Sequence, residues 1–194
     1  MNARVDFSHL AVPRYRVTVD DFYRMGAAGV FDGKPRVELI EGDIVSMAPI
    51  GSLHASTTQA ITYFFHDRLA VGITARMQLP LHLSAGSEPE PDIAIVRGHN
   101  RDYRERHPSA NDCLLVIEVA HTSQDYDRQV KAPLYAAYGV AEYWLVDTVA
   151  KTVTVFHDAV DGRYRYSVEH PDTVAIQPVN AALPPINVSE CVNA

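Results

Sequence analysis

The sequence predicts a single α/β domain, and three observations support this fold class. A length of 194 residues is sufficient for one substantial hydrophobic core and short for two. Two wholly apolar runs, 93–96 and 113–117, are typical of strands buried on both faces of a sheet. Over 52–70, apolar residues recur at intervals of three and four, which indicates an amphipathic helix. Buried strands combined with such helices define the α/β class.

Composition and charge narrow the function classes. Hydrophobic residues make up 47% and charged residues 21% of the chain, which excludes disordered and fibrous proteins. A net charge of −7 opposes tight binding along a phosphate backbone, which usually needs a basic face. The charge does not exclude nuclease chemistry, because an acidic cluster that binds Mg²⁺ itself contributes negative charge.

Nothing in the sequence indicates export or a membrane span. Met1–Asp6 contain no apolar segment, and no later stretch approaches the roughly 20 apolar residues that a span needs. We therefore expect a cytoplasmic protein with no membrane partner. In that compartment Cys113 and Cys191, which lack metal-type spacing, are expected to be reduced thiols without a disulfide.

A short helix and a hairpin are predicted first. Thr18-Val-Asp-Asp21 resembles a capping box at the start of a helix over 19–27. Apolar residues on both sides of Glu41-Gly42-Asp43 predict two strands over 36–47 joined by a tight turn. Glu38 lies in the first of these strands.

A longer helix follows the hairpin. Ser52 is expected to cap a helix that runs to about Ala70 and carries His54 near its start. Two short extended segments are predicted after it, around 73–77 and 79–83.

Two carboxylates border the apolar runs. Glu88-Pro-Glu-Pro-Asp92 must be extended, because each proline restricts the residue before it, and Asp92 opens the strand over 93–96. Glu118 closes the strand over 113–117. If these strands are antiparallel neighbours, Asp92 and Glu118 meet at one edge of the sheet.

A shared cation would explain this carboxylate pair. A desolvated carboxylate without a partner is heavily penalised unless it is protonated, paired or coordinated. Oxygen ligands alone suit Mg²⁺ or Mn²⁺ better than Zn²⁺. The residues leave a structural alternative open, in which Asp92 caps a turn and Glu118 pairs with an arginine.

The second half begins with helical character over 125–138. Val130, Leu134 and Ala137 are predicted to form its buried face. Pro133 predicts a kink or a later helix start, because proline removes a backbone hydrogen bond.

Three strands complete the predicted sheet. The apolar segment 142–147 forms one, and 153–156 pairs with 164–168 as a hairpin. Tyr143 and Trp144 are expected to be core and dimer-contact aromatics.

Several segments in order resemble the Uma-two family of restriction-endonuclease-like proteins, within the PD-(D/E)XK nuclease superfamily. They are Arg36-Val-Glu-Leu-Ile-Glu-Gly42, Glu88-Pro-Glu-Pro-Asp-Ile-Ala-Ile-Val96, Leu115-Val-Ile-Glu-Val119, Tyr126-Asp-Arg-Gln-Val-Lys131 with Tyr135, and Gly139-Val-Ala-Glu-Tyr-Trp-Leu-Val-Asp147. The resemblance implies a central mixed β-sheet flanked by helices. We expect a single domain over 1–194 with its core at about 17–168.

The resemblance also implies a metal site and a catalytic lysine. The PD aspartate and the next acidic residue correspond to Asp92 and Glu118, and an additional acidic residue corresponds to Glu38. These three would hold one or two Mg²⁺ or Mn²⁺ ions. Ala120 stands where the superfamily has its usual lysine, and Lys131 on the next helix matches a migrated lysine that would orient the attacking water.

Two accessory candidates precede the strand pair. His54 could be a ligand or proton shuttle, although a lone histidine at a helix end is a weak metal signal. Glu90 could widen the negative potential beside Asp92, or be an exposed residue of an extended arm. An exposed position is preferred for Glu88.

Other candidates lie on the predicted helix. Lys131 could instead be solvated and pair with Asp127 four positions earlier, a contact worth only about 0.3–0.5 kcal/mol. Asp127 could alternatively support a catalytic Lys131. Tyr135 shares a face with Lys131, but core packing explains it equally well. His121 receives no assigned role.

Three functions remain open at this point. The first is a Mg²⁺-dependent endonuclease acting on DNA, and a homodimer would let two sites address two strands. The second is a catalytically silent binding or assembly protein that retains the nuclease fold. The third is a hydrolase of a smaller phosphodiester.

Overall fold

The computed structural model describes residues 13–193, which form both helices and strands. The strands are β1 (Val37–Ile40), β2 (Asp43–Ser46), β3 (Ile73–Met77), β4 (Ile93–Arg97), β5 (Cys113–Ala120), β6 (Glu142–Asp147), β7 (Thr152–Val160), β8 (Arg163–Pro171), β9 (Ala175–Ile176) and β10 (Ile186–Asn187). The helices are α1 (Val19–Ala27), α2 (Ser52–His66), α3 (Gln124–Tyr126), α4 (Ala132–Ala137) and α5 (Val188–Val192). A π-helical segment, Asp127–Lys131, lies between α3 and α4.

One six-stranded sheet organises the molecule, in the order β3-β4-β5-β6-β7-β8. Only β5 and β6 are parallel, and the other neighbouring strands of this sheet are antiparallel. Parallel neighbours need a crossover connection, which here is the helical stretch between β5 and β6. The predicted mixed sheet flanked by helices is confirmed.

The helices pack on both faces of this sheet. One face of β5, with Leu115 and Ile117, packs with side chains of α2 and α5. The opposite face, with Val116 and Ala120, packs with side chains of α4. Because side chains alternate along a strand, Glu118 lies on the α4 face between two buried apolar residues.

The elements of the N-terminal half are close to prediction. The helix over 19–27 has its capping box, and the hairpin has the expected strands. Ser52 as a helix cap is wrong, because Gly51 takes the extended N-cap conformation and Ser52 is already helical. The helix also ends at His66 rather than near residue 70, since the chain must turn into β3.

The segment 79–83 forms no strand. It makes only an isolated bridge at His82. Pro80 lacks a backbone N–H, and Gln78 has a positive φ of 51°, so the segment does not continue β3. The expectation of no N-terminal apolar segment concerns Met1–Asp6. These residues lie outside the part of the chain that the structure describes.

The helical stretch before β6 is irregular, and of its predicted buried face only Leu134 is buried. Val130 and Ala137 are exposed, whereas Lys131 and Tyr135 are buried. A π-helical turn adds a residue relative to an α-helix, and this changes which side chains share a face. The irregularity lies just before Pro133, where a kink or a later start was expected.

The strand β6 has the predicted bounds, whereas β5, β7 and β8 are longer than predicted. Glu118 does not close its strand, because pairing with β6 continues to Ala120. The hairpin of β7 and β8 spans 152–171. Tyr143 and Trp144 are fully buried, so the expectation that they are dimer contacts is wrong.

The segment after 171 also belongs to the core, which the predicted bound of about 168 missed. Its buried residues pack against α2 and the sheet: Ile176, Leu183, Ile186, Val188, Cys191 and Val192. Cys113 and Cys191 are buried free thiols, and burial raises the pKa of each to about 12. Within residues 13–193, no helix is long and apolar enough to cross a membrane.

Candidate active site

A cavity of about 530 Å³ opens where the β1–β2 hairpin, the start of α2, β4 and β5 and the helical crossover meet. Seven of the eight predicted site residues line it: Glu38, His54, Glu90, Asp92, Glu118, Asp127 and Lys131. The eighth, Tyr135, contacts Glu118 from within the core. The fold therefore gathers residues that are up to 93 positions apart in sequence.

Asp92 and Glu118 are fixed against each other by the backbone. The antiparallel register pairs Ile93 with Ile117, so the two carboxylates stand on adjacent strands. The Asp92 amide donates to Glu118 Oε2 at 3.0 Å, and the Val119 amide donates to Asp92 Oδ2 at 2.8 Å. One oxygen of each carboxylate therefore accepts a hydrogen bond from a backbone amide at the neighbouring strand.

The second oxygen of Asp92 contacts two side chains that line the cavity. His54 Nε2 lies 2.7 Å from Asp92 Oδ1, and Gln78 Nε2 donates to the same oxygen at 3.3 Å. The hydrogen bond to Asp92 raises the pKa of His54. His54 reaches this position because it stands in the first turn of α2. Gln78 was not predicted, since a lone glutamine after a strand carries no sequence signal.

The second oxygen of Glu118 accepts from two buried side chains. The Tyr135 hydroxyl donates to Glu118 Oε1 at 2.8 Å, and Lys131 Nζ donates to it at 3.3 Å. Burial raises the pKa of Glu118 to about 8, against the opposing influence of the Lys131 charge. A cation beside this oxygen would favour the ionised carboxylate.

Lys131 bridges two carboxylates. Its ammonium donates to Glu38 Oε2 at 2.7 Å as well as to Glu118, and its side chain is only 4% exposed. Burial lowers the pKa of Lys131, but the charges of Glu118 and Glu38 outweigh it and raise the pKa. The alternative of a solvated lysine paired with Asp127 is therefore wrong.

The crossover geometry explains how Lys131 arrives there. The connection from β5 to β6 crosses the face on which Glu118 lies. Along it, Asp127, Lys131 and Tyr135 are spaced four residues apart and are all buried, as neighbours on one face of a helix are. The Ser123 hydroxyl donates to Asp127 Oδ2 at 2.6 Å, and burial raises the pKa of Asp127 to about 6.

Glu38 receives two further hydrogen bonds. The Glu90 amide donates to its Oε2 at 3.2 Å, and the Tyr126 hydroxyl donates to its Oε1 at 3.4 Å. Tyr126 belongs to a segment that carries the family resemblance, but the sequence indicates no role for it. Its contact spans 88 residues, so no local pattern could predict it.

The remaining acidic candidates, Glu88 and Glu90, have different surroundings. Glu90 pairs with Arg36 at the cavity wall. Glu88 is 5% exposed, which contradicts the predicted exposed position. It accepts a hydrogen bond from the Tyr23 hydroxyl, and His82 Nδ1 lies 3.0 Å from it. The proline-rich segment thus turns Glu88 away from the cavity and Glu90 toward it.

His121 also lies at this site. His121 is one of the residues that line the cavity, and its Nδ1 lies 3.2 Å from the Thr148 hydroxyl oxygen. This contact ties the end of β5 to the residue after β6 and gives His121 a structural partner.

The donor set suits a hydrated divalent cation rather than a closed protein cage. Within residues 13–193, no three His, Cys, Asp or Glu side chains are grouped to hold an ion by themselves. Glu38 contacts Lys131 rather than completing a three-carboxylate cluster with Asp92 and Glu118. Mg²⁺ typically uses one or two protein carboxylates and keeps several waters, so the adjacent Asp92 and Glu118 fit such an ion.

The mixed sheet, the acidic pair on adjacent strands and the buried lysine fit the restriction endonuclease-like class of proteins. Nucleases of this class generally use divalent metal ions. The chain belongs to the Uma2 family, described as "Putative restriction endonuclease", whose family model matches residues 19–184.

A solved structure shows the same fold. It is described as a "putative nuclease belonging to DUF820" from Anabaena variabilis ATCC 29413. The two chains superpose with a TM-score of 0.71 at 18% identity, over 91% of this chain and 98% of that one. Among curated proteins, no sequence matches the chain.

Proposed function

We propose that this protein is a Mg²⁺-dependent endonuclease that hydrolyses DNA phosphodiester bonds. The observation that carries the proposal is the reciprocal pair of backbone hydrogen bonds between Asp92 and Glu118, with the Lys131 ammonium on the same Glu118 side chain. Two carboxylates and one ammonium, held on rigid elements around one cavity, are the groups that metal-assisted phosphoryl transfer needs.

Asp92 and Glu118 would hold the ion, which is Mg²⁺ or Mn²⁺. When bound, it would supply a Lewis acid for the phosphoryl oxygens and a water of lowered pKa. The oxygens outside this reciprocal pair, Asp92 Oδ1 and Glu118 Oε1, are hydrogen-bonded to neutral or cationic side chains, and an ion would compete with these side chains. Metal binding and the His54 contact are therefore linked.

Lys131 supplies the positive charge that is missing at Ala120, the position of the usual lysine of the superfamily. Its ammonium orients the attacking water or donates to the phosphoryl oxygen on which negative charge develops. Glu38 keeps the lysine charged and directed into the cavity, and the role proposed for Glu38 is this positioning. Tyr135 holds the Glu118 carboxylate in place from the core side.

The direct test is cleavage of labelled DNA by the purified protein. Single-stranded, double-stranded, nicked and branched DNA are each incubated with Mg²⁺ or Mn²⁺. Asp92→Asn and Lys131→Met should lower the rate by roughly a hundredfold or more. The matched control is Asp43→Asn, which removes an exposed carboxylate paired with Arg16 outside the cavity.

Two results would contradict the proposal. One is inertness on every DNA, and the other is cleavage that persists unchanged in Asp92→Asn. Activity on a chromogenic phosphodiester without activity on DNA would indicate the hydrolase of a smaller substrate. The homodimer also belongs to this proposal, and sedimentation of the same preparation tests it.

A further inference from the structure

The reacting groups lie inside a pocket rather than on an open surface. Asp92, Glu118 and Lys131 are all buried at the inner wall of the cavity. Its volume of about 530 Å³ falls in the range of roughly 300–1,000 Å³ that is typical of small-ligand pockets. A scissile phosphate must therefore enter the cavity together with the nucleotide that carries it.

The charge of the cavity does not favour a continuous duplex. Its wall contains five carboxylates: Glu38, Glu90, Asp92, Glu118 and Asp127. All residues of this wall lie within the described part of the chain, and its only lysine and arginine are Lys131 and Arg36. Both side chains are paired with these carboxylates. Binding along a duplex depends on lysine and arginine contacts to several phosphates.

One wall of the cavity is apolar. The segment from the end of β2 into α2 contributes Met47, Pro49, Ile50 and Leu53 to the lining. Ile50 is 44% exposed and Leu53 is 41% exposed, although both are large hydrophobic residues. An apolar surface beside a phosphate site suits the flat face of a base, because enzymes that take bases out of the stack hold them between aromatic or apolar side chains.

We propose that the cavity takes an unpaired DNA nucleotide, with its base against Ile50 and Leu53 and its phosphodiester at Asp92, Glu118 and Lys131. The protein accordingly prefers single-stranded DNA or a single-stranded flap over continuous duplex. This inference rests on the proposed function for the cleavage step, whereas the binding preference can be measured without cleavage.

Binding is measured first, by fluorescence anisotropy with phosphorothioate oligonucleotides that resist hydrolysis. The parent protein with Mg²⁺ should bind a single strand about tenfold more tightly than the same strand in a blunt duplex. The double variant Ile50→Ala/Leu53→Ala should weaken single-strand binding about fivefold to tenfold, since each truncation removes apolar contact with the base. Both residues are partly exposed, so their truncation should leave the fold intact.

The matched control is Val71→Ala/Val149→Ala, which truncates two exposed apolar residues outside the cavity. This variant should bind like the parent. Equal affinity for single strand and duplex would overturn the inference, and so would unchanged binding by Ile50→Ala/Leu53→Ala.

Cleavage of a flapped duplex then separates the two proposals. Incision confined to the single-stranded arm supports both, and a KM raised only in the cavity variant strengthens the assignment of the apolar wall. Equal incision of continuous duplex overturns the inference and leaves the nuclease proposal standing. Selective single-strand binding without any cleavage supports the inference and contradicts the nuclease proposal.

Discussion

Lys131 is the residue on which the electrostatics of the site depend. Its ammonium lies 2.7 Å from Glu38 Oε2 and 3.3 Å from Glu118 Oε1, and all three side chains are buried. Breaking a buried ion pair by removing one partner is costly, because the other charge is then uncompensated. Stability and catalysis should therefore both respond to this position.

Lys131→Met is expected to lower the free energy of unfolding by roughly 3–5 kcal/mol, because Glu38 and Glu118 lose their cation. Urea denaturation measures this, and exposed Lys151→Met is the control. The double variant Glu38→Gln/Lys131→Met should regain part of the stability while staying inactive. A single variant as stable as the parent would show that the bridge is absent in solution.

Asp127 should make stability depend on pH. Burial raises its pKa from 3.8 to about 6, so the folded state binds a proton more readily than the unfolded chain. The stability from this group is present below about pH 4 and is lost as the pH rises through about 6. Asp127→Asn should therefore be more stable than the parent by about 1–2 kcal/mol near pH 8, with little difference near pH 4.

Thermal unfolding at the two pH values tests this, with Asp125→Asn as an exposed control of the same charge change. Lower stability of Asp127→Asn near pH 8 would mean that the carboxylate is a net favourable partner of Lys131. The sign of the difference therefore decides between burial and ion pairing as the dominant effect on Asp127.

At the scale of single residues, the sequence could predict candidate site residues but not the contacts between their side chains. Asp92 and Glu118 were found because each borders or interrupts an apolar strand, which makes a buried carboxylate conspicuous. The helical pattern around Lys131 predicted a solvent-exposed side chain, and only the family resemblance indicated a site role. Gln78 and Tyr126 were missed because their contacts depend on tertiary geometry.

At the scale of elements, the π-helical turn over Asp127–Lys131 carries two residues of the proposed site. Asp127, Lys131 and Tyr135 follow one another at intervals of four and are all buried, and this spacing places successive members on one face of a helix. Deleting exposed Gln129 should shorten the spacing from Asp127 to Lys131 to three residues and displace the Lys131 ammonium from Glu38 and Glu118. Cleavage should then be lost while the far-ultraviolet circular dichroism stays close to that of the parent.

Gln129→Ala is the matched control, because it shortens the same side chain without changing the register. It should retain parental activity. Full activity of the deletion variant would show that the π-helical turn is not needed to place Lys131.

Element boundaries were predictable where local chemistry sets them. The capping box at Thr18 and Asp21 fixes the start of α1, and alternation across Glu41-Gly42-Asp43 fixes the first hairpin. The end of β5 was not predictable, because its last residues are held by pairing with β6. The short elements after 171 are stabilised by packing on the core, which local pattern does not reveal.

At the scale of the whole molecule, the net charge of −7 constrains how DNA can bind. The two cations of the cavity wall are already paired with carboxylates, so few counterions should be released. The slope of log K against log salt concentration should lie between zero and about −2. Anisotropy titrations over a range of salt concentrations measure it, and a slope near −6 would indicate a basic binding face elsewhere.

The order of strands in the sheet was the least predictable feature. Apolar runs identify the central strands, but they do not say which strands are neighbours or whether a pair is parallel. From the sequence, Asp92 and Glu118 were expected to meet only if β4 and β5 are antiparallel neighbours. The structure shows this pairing. The parallel pairing of β5 with β6 places the crossover, and hence Lys131, over Glu118.

The most direct test of the central claim is calorimetric titration of Mn²⁺ into the purified protein. We predict that the parent binds Mn²⁺, that Asp92→Asn and Glu118→Gln lose this binding, and that Asp43→Asn retains it. Unchanged Mn²⁺ binding in both Asp92→Asn and Glu118→Gln, or no binding by the parent, would contradict a metal site between these two carboxylates.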